Sequence, residues 1–113
     1  MSICREGIIM NTLDYEYFFR QLKAGISIDE TCFYFVDDPQ KEEHYIGFLP
    51  QYEKPYWVGY CDISYGCEFH TAEELVNAKI FDGESLIERW RNIRIVSIWG
   101  LCIEDWIKSC SHI

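Results

Sequence analysis

Residues 31–49, TCFYFVDDPQKEEHYIGFL, decide the fold. Two short runs dense in β-formers, Thr31 to Val36 and His44 to Leu49, flank a charged stretch opened by Asp38-Pro39. Each run is too short for a stable helix and rich in the aromatic and β-branched residues that suit a pleated surface. The seven residues between them, 37–43, are enough for a hairpin and too few for a crossover. The pair is therefore expected to be antiparallel.

Toward the C-terminus, Pro50 and Pro55 bracket a second loop. Tyr56 to Cys61, YWVGYC, reads as a third strand, with Gly59 marking a bulge or a close backbone approach. Asp62 to Gly66 reads as a turn and Cys67 to His70 as a short extended stretch. The period then becomes helical. Thr71 with Glu74, and Ser85 with Glu88, have capping-box spacing, each opening a short helix. The first runs to about Lys79, and the second carries Leu86, Ile87 and Trp90. Asp82-Gly83 turns the chain between them. Ile93 to Trp99, IRIVSIW, reads as a strand ended by Gly100, and Ile103 to Cys110 as a closing helix with Trp106 and Ile107 turned inward.

Toward the N-terminus, Leu13, Tyr17, Phe18 and Leu22 form a helical stripe. Asn11 and Thr12 are the expected caps, with Asp14 and Glu16 in the first turn and Gly25 as terminator. Residues 1–9 read as a loosely ordered extension. The order is α-β-β-β-α-α-β-α, an α+β fold: a small, mostly antiparallel sheet of about four strands with helices packed on one face. Trp57, Trp90, Trp99 and Phe33 are the expected large core side chains.

The length of 113 residues suits a single domain spanning 1–113. A hydrophobic share of 49%, with 17% aromatic, argues against disorder. The net charge of −9 opposes binding to nucleic acid or an anionic membrane and favours a basic partner. No apolar run is long enough to span a bilayer, and residues 1–10 lack the apolar stretch of a secretory signal. The cytoplasm is the expected compartment, with all six cysteines as free thiols.

Motifs for chemistry are sparse. No glycine-rich loop leads to a lysine, and Arg89, Arg91 and Arg94 lie among carboxylates. No local signature joins a cysteine to a histidine and a third orienting group, so no enzyme activity is expected. No cofactor and no metal are expected either. The residues nearest to a zinc set are Cys61, Cys67 and His70, with Cys110 or His112 to complete a tetrahedron. Five residues separate Cys61 from Cys67, wider than the usual two to four, and no C-x-x-C pair occurs.

The segment from Tyr45 to Tyr65 is unusual. It holds Tyr45, Tyr52, Tyr56, Tyr60 and Tyr65, with Phe48, Trp57, Glu53 and Asp62 among them, and Asp37, Asp38, Glu42 and Glu43 lie in the adjacent hairpin loop. Tyrosine offers stiff contact area with a polar tip, and an acidic rim suits a basic surface. The same residues also serve as core plus ordinary surface. The function expected is a non-enzymatic binding protein that inhibits or regulates a basic macromolecular partner, as toxin-immunity proteins and phage-encoded nuclease inhibitors do. The alternatives are a small-molecule-binding domain with an aromatic-lined pocket, or a zinc-stabilised module. The run FHTAEELVNAKIFDGESLIERW, Phe69 to Trp90, resembles segments of small bacterial proteins and implies no activity.

Overall fold

The computed structural model describes residues 13–111. The elements are α1 (Tyr15–Ala24), β1 (Thr31–Phe35), β2 (His44–Phe48), β3 (Tyr56–Gly59), β4 (Cys67–Phe69), α2 (Ala72–Asn77), α3 (Leu86–Arg89), a 3-10 turn (Trp90–Asn92), β5 (Ile93–Ser97) and α4 (Ile103–Ser111). The fold is α+β, as the patterning implies. The strands form one antiparallel sheet in the order β4-β3-β2-β1-β5. It has five strands rather than about four, because Cys67–Phe69 pairs with β3 in full ladder register.

Register assigns the two faces. Phe33 lies opposite His44 and Ile95, Ile46 opposite Val58, and Tyr56 opposite Phe69. This face packs against Phe18 and Leu22 of α1, Leu75 and Val76 of α2, Leu86 of α3 and Trp106 of α4, forming the hydrophobic core. Alternate residues put Tyr34, Tyr45, Trp57, Glu68, Arg94 and Val96 on the other face, where period-2 alternation places them.

The helix starts follow local chemistry. Thr71 and Ser85 are N-caps, and both capping boxes are complete: each hydroxyl accepts an N–H from the glutamate three residues on, whose carboxylate accepts the cap's own N–H. Gly25 ends α1 at φ 70°, where a residue with a Cβ would be strained. The cap of α1 is Asp14, whose carboxylate accepts the Tyr17 N–H at 3.0 Å. Asn11 and Thr12, the caps expected from sequence, lie outside the described residues, as does the extension expected over 1–9.

Three expectations need correction. Trp99 is not in the core. β5 stops at Ser97, and Ile98 and Leu101 exchange both backbone hydrogen bonds around Trp99-Gly100. Both central residues have positive φ, 54° and 77°, the signature of a type I′ turn, so Trp99 stands at a hairpin tip half exposed. The fully buried tryptophan is Trp106, whose indole N–H donates to the Ser27 carbonyl at 2.6 Å. Trp57 and Trp90 are half-buried, while Phe33 is fully buried as expected.

The close approach is at Gly47, not Gly59. A Cβ on Gly47 would lie 2.1 Å from Asp29 Oδ1 and 2.5 Å from Trp57 Nε1, because the Trp57 ring crosses β2 there. Asp29 accepts hydrogen bonds from the Trp57 indole at 2.7 Å and the Phe48 N–H at 2.9 Å, fixing that crossing. Gly59 stands in plain register opposite Tyr45, and the sheet's irregularity falls at Cys32/Phe33 instead.

The cysteines also differ from expectation. Cys32, Cys61, Cys67 and Cys110 are free thiols, but Cys102 is disulfide-bonded. The expectation of six free thiols therefore fails at Cys102; Cys4 lies outside the described residues. No described helix is long and apolar enough to cross a membrane.

Candidate functional site

The hairpin loop is shaped by one side chain. Asp38 accepts the N–H groups of Gln40 and Glu42 at 3.0 and 3.1 Å, an arrangement that aspartate favours in turns. The Glu42 and Gln40 N–H groups hold its carboxyl below the usual range. The loop hands the chain to β2 at His44, which alternation sends to the core side of the sheet, over Phe33.

The His44 ring rests among four aromatic rings. Its centroid lies 5.4 Å from Phe33, 5.3 Å from Phe35, 5.1 Å from Phe81 and 5.5 Å from Tyr60. Nδ1 bonds the Tyr60 carbonyl, which only accepts, so Nδ1 carries the proton. Burial lowers the His44 pKa; the Tyr60 carbonyl, Asp38 and Glu42 oppose that shift. Tyr60, at φ 55°, ends β3 and turns the chain. Its hydroxyl bonds Glu42, which raises its pKa.

Two further segments close the site. Asp62 accepts the N–H groups of Asp82 and Gly83 at 3.1 and 3.3 Å, docking the second turn against the first. Arg89 of α3 is buried, with its guanidinium carbon 4.2 Å above the Phe35 ring and Nη2 2.5 Å from Asp37 Oδ1. Glu84 stands 3.7 Å away on the other side. The result is a cleft of about 170 Å³ at one end of the sheet. Its floor is Phe35, His44 and Phe81; Asp38, Glu42, Asp62 and Asp82 stand around it, with Tyr60, Cys61 and Arg89 completing the walls. Four acidic residues thus share the cleft with one guanidinium that already has acidic partners outside it.

The residues expected to form one acidic-aromatic face are divided. Asp38, Glu42 and Tyr60 come together in the cleft. Tyr45 is on the opposite sheet face, its hydroxyl 3.3 Å from Glu43. Asp37 is engaged by Arg89 and Asn92. Tyr56 belongs to the core, its hydroxyl donating to the Lys23 carbonyl at 2.9 Å. Tyr52 and Tyr65 line a separate groove of about 910 Å³ with Leu49, Trp57 and Ile63. Glu53 is exposed in the loop after β2.

His44, Phe81, Asp82 and Arg89 were not foreseen as site residues; Asp62 was noted only as an acidic member of the Tyr45–Tyr65 segment. The signal available for His44 was its alternation with Ile46 and Phe48, which puts an imidazole on an apolar face. Asp62 and Asp82 sit in two turns whose docking is a long-range fact.

The thiols at Cys61 and Cys67 are 4.0 Å apart. His70 does not join them in a ligating group; its backbone N–H bonds Glu74. Cys110 accepts from Gln21 on α1 at 3.2 Å, and His112 lies outside the described residues. Among the described residues no three His, Cys, Asp or Glu side chains are placed to share a metal ion.

No protein-family model, curated protein or solved structure matches this chain. The functional reading rests on the site alone.

Proposed function

We propose that the protein is a non-enzymatic, cytoplasmic binding protein that inhibits or regulates a basic macromolecular partner, and that the cleft receives a lysine or arginine side chain of that partner. The observation that carries this reading is the placement of Asp38, Glu42, Asp62 and Asp82 around an aromatic floor. A cation entering there gains attraction from carboxylates and from ring faces together. Arg89 over Phe35 is the intramolecular precedent. Tyr60, 48% exposed at the rim, offers contact area with a polar tip.

The charge of −9 adds long-range steering toward a basic surface. A partner that handles nucleic acid uses a basic surface for its substrate, so a protein seated on that surface blocks it.

The experiment uses an arginine-rich peptide as the probe in stopped-flow binding. Association slows as salt rises, and E42Q, D62N and D82N each slow it further. Y60A instead speeds dissociation. An association rate that ignores both salt and these carboxylates overturns the reading.

The groove lined by Leu49, Tyr52, Trp57, Ile63 and Tyr65 favours a second reading, a small-molecule-binding domain. Its volume of about 910 Å³ lies in the range of ligand pockets. An apolar fluorescent dye that binds the protein and is lost in Y65A supports that alternative.

A further inference from the structure

We propose that Cys61 and Cys67 form a reversible disulfide, making the turn between β3 and β4 an oxidation site. This inference stands on the position of the two thiols and is independent of the reading of the cleft. Cys67 opens β4 opposite Val58, and Cys61 lies just beyond the end of β3. The turn between them folds back on itself: the Gly66 N–H donates to the Ile63 carbonyl at 2.9 Å, and the Cys61 thiol lies 3.7 Å from the same carbonyl. That fold-back brings the sulfurs to 4.0 Å. A disulfide needs them at about 2 Å, a gap that small side-chain rotations close.

The surroundings leave the pair available to each other. Among the described residues neither thiol is held by a charged partner, and each is partly buried at the edge of the core. Each lines a concavity, Cys61 the acidic cleft and Cys67 the groove beside Trp57, so a small oxidant has a route to Cys61 from the cleft. Cys32, by contrast, is buried, and Cys110 accepts from Gln21.

The step has a definite order with a low-molecular-weight disulfide as oxidant. The Cys61 thiolate attacks one oxidant sulfur, the oxidant's S–S bond breaks, and one thiolate leaves. Cys67 then loses its proton, attacks Cys61 Sγ and expels the second thiolate. Two cysteine thiols lose two electrons, and the oxidant becomes two thiols carrying the two protons. The order follows from position, since Cys61 lines the cleft by which the oxidant arrives; the Cys67 pKa is pushed up to about 12 by burial and by the neighbouring Cys61. Capping Cys61 removes that neighbour's charge and so lessens, without abolishing, the opposition to Cys67 ionising; the larger part, burial, remains.

The test is to incubate the native full-length chain with oxidised glutathione, block with N-ethylmaleimide and digest with trypsin without reduction. Cleavage after Lys41 and Lys79, with Lys54-Pro55 resisting, puts Cys61 and Cys67 in one peptide with no other cysteine. The expected peptide carries no maleimide and is lighter than its reduced form by two hydrogens. In C67S, and equally in C67A, glutathione stays on Cys61. Thiols at both positions after prolonged oxidation, or a glutathione adduct retained at Cys61 in the unaltered chain, overturns the proposal.

Discussion

The carboxylate of Asp37, in the loop after β1, accepts from the buried guanidinium of Arg89 on α3, fifty-two residues away. Arg89 has 9% of its side chain exposed, and its Nε has no partner among the described residues. The cation therefore depends on Asp37, with Glu84 as a longer second contact. This carboxylate serves the fold rather than the cleft. Asp37→Ala is expected to cost about 1–3 kcal/mol, because it strips a buried charge of its closest acceptor. Glu84→Ala should cost less than about 1 kcal/mol. Urea unfolding of both variants checks the ranking; equal costs contradict it.

Trp99 carries a different kind of cost. It stands in the left-handed region at a hairpin tip, where asparagine and glycine are favoured and a bulky side chain is strained. Trp99→Asn should leave stability unchanged or raise it by up to about 1 kcal/mol. A fall of 3 kcal/mol or more, as for a buried tryptophan (on the order of 3–5 kcal/mol), would place the ring in the core after all.

The two capping boxes yield a local prediction. Thr71→Ala and Ser85→Ala should each cost about 1 kcal/mol by chemical denaturation. The two sites sit on separate helices, so the double variant should cost close to the sum. A silent Ser85→Ala would contradict the cap role of a hydroxyl that is largely buried.

These caps were legible in the sequence because a cap is a contact between residues three apart. The same holds for the hairpin at 31–49, for Gly25 and for the turn at Asp82-Gly83. What escaped was long-range. Asp62 grips the 82–83 turn across twenty residues, and Arg89 reaches back to Asp37. Periodicity carries no trace of either. Trp99 was misplaced because a tryptophan before a glycine reads as the end of an apolar strand, while asparagine would have announced the turn. The tyrosines shared one stretch of sequence, but β2 and β3 send alternate residues to opposite faces. Tyr45 and Tyr56 therefore part company, and Tyr60 reaches the cleft only because the chain turns there.

His44 gives a pH dependence with a definite sign. Burial holds its pKa in the folded chain below the ordinary 6.5. As pH falls through 6.5, the unfolded chain takes up a proton before the folded chain does. The stability from neutral His44 is therefore complete above about pH 6.5 and is lost as pH falls toward the depressed value. Asp38, Glu73 and Glu88 have lowered pKa values, so their contributions are lost only at more acidic pH, below the ordinary carboxylate values of 3.8 and 4.5. Denaturation at pH 7.5, 6.5 and 5.5 should show declining stability, and His44→Gln should flatten the decline. An unchanged slope in the variant would assign the effect to another group.

The most direct test of the cleft as a cation-binding site is an NMR titration of the unaltered chain with an arginine-rich peptide at low salt, following backbone amides. The account predicts shifts concentrated at residues 38–44, 60–62 and 81–83, fading as salt rises and removed by the combined E42Q, D62N and D82N variant. Shifts scattered evenly over the acidic surface, or concentrated on the sheet face that carries Tyr45 and Val96, would contradict it.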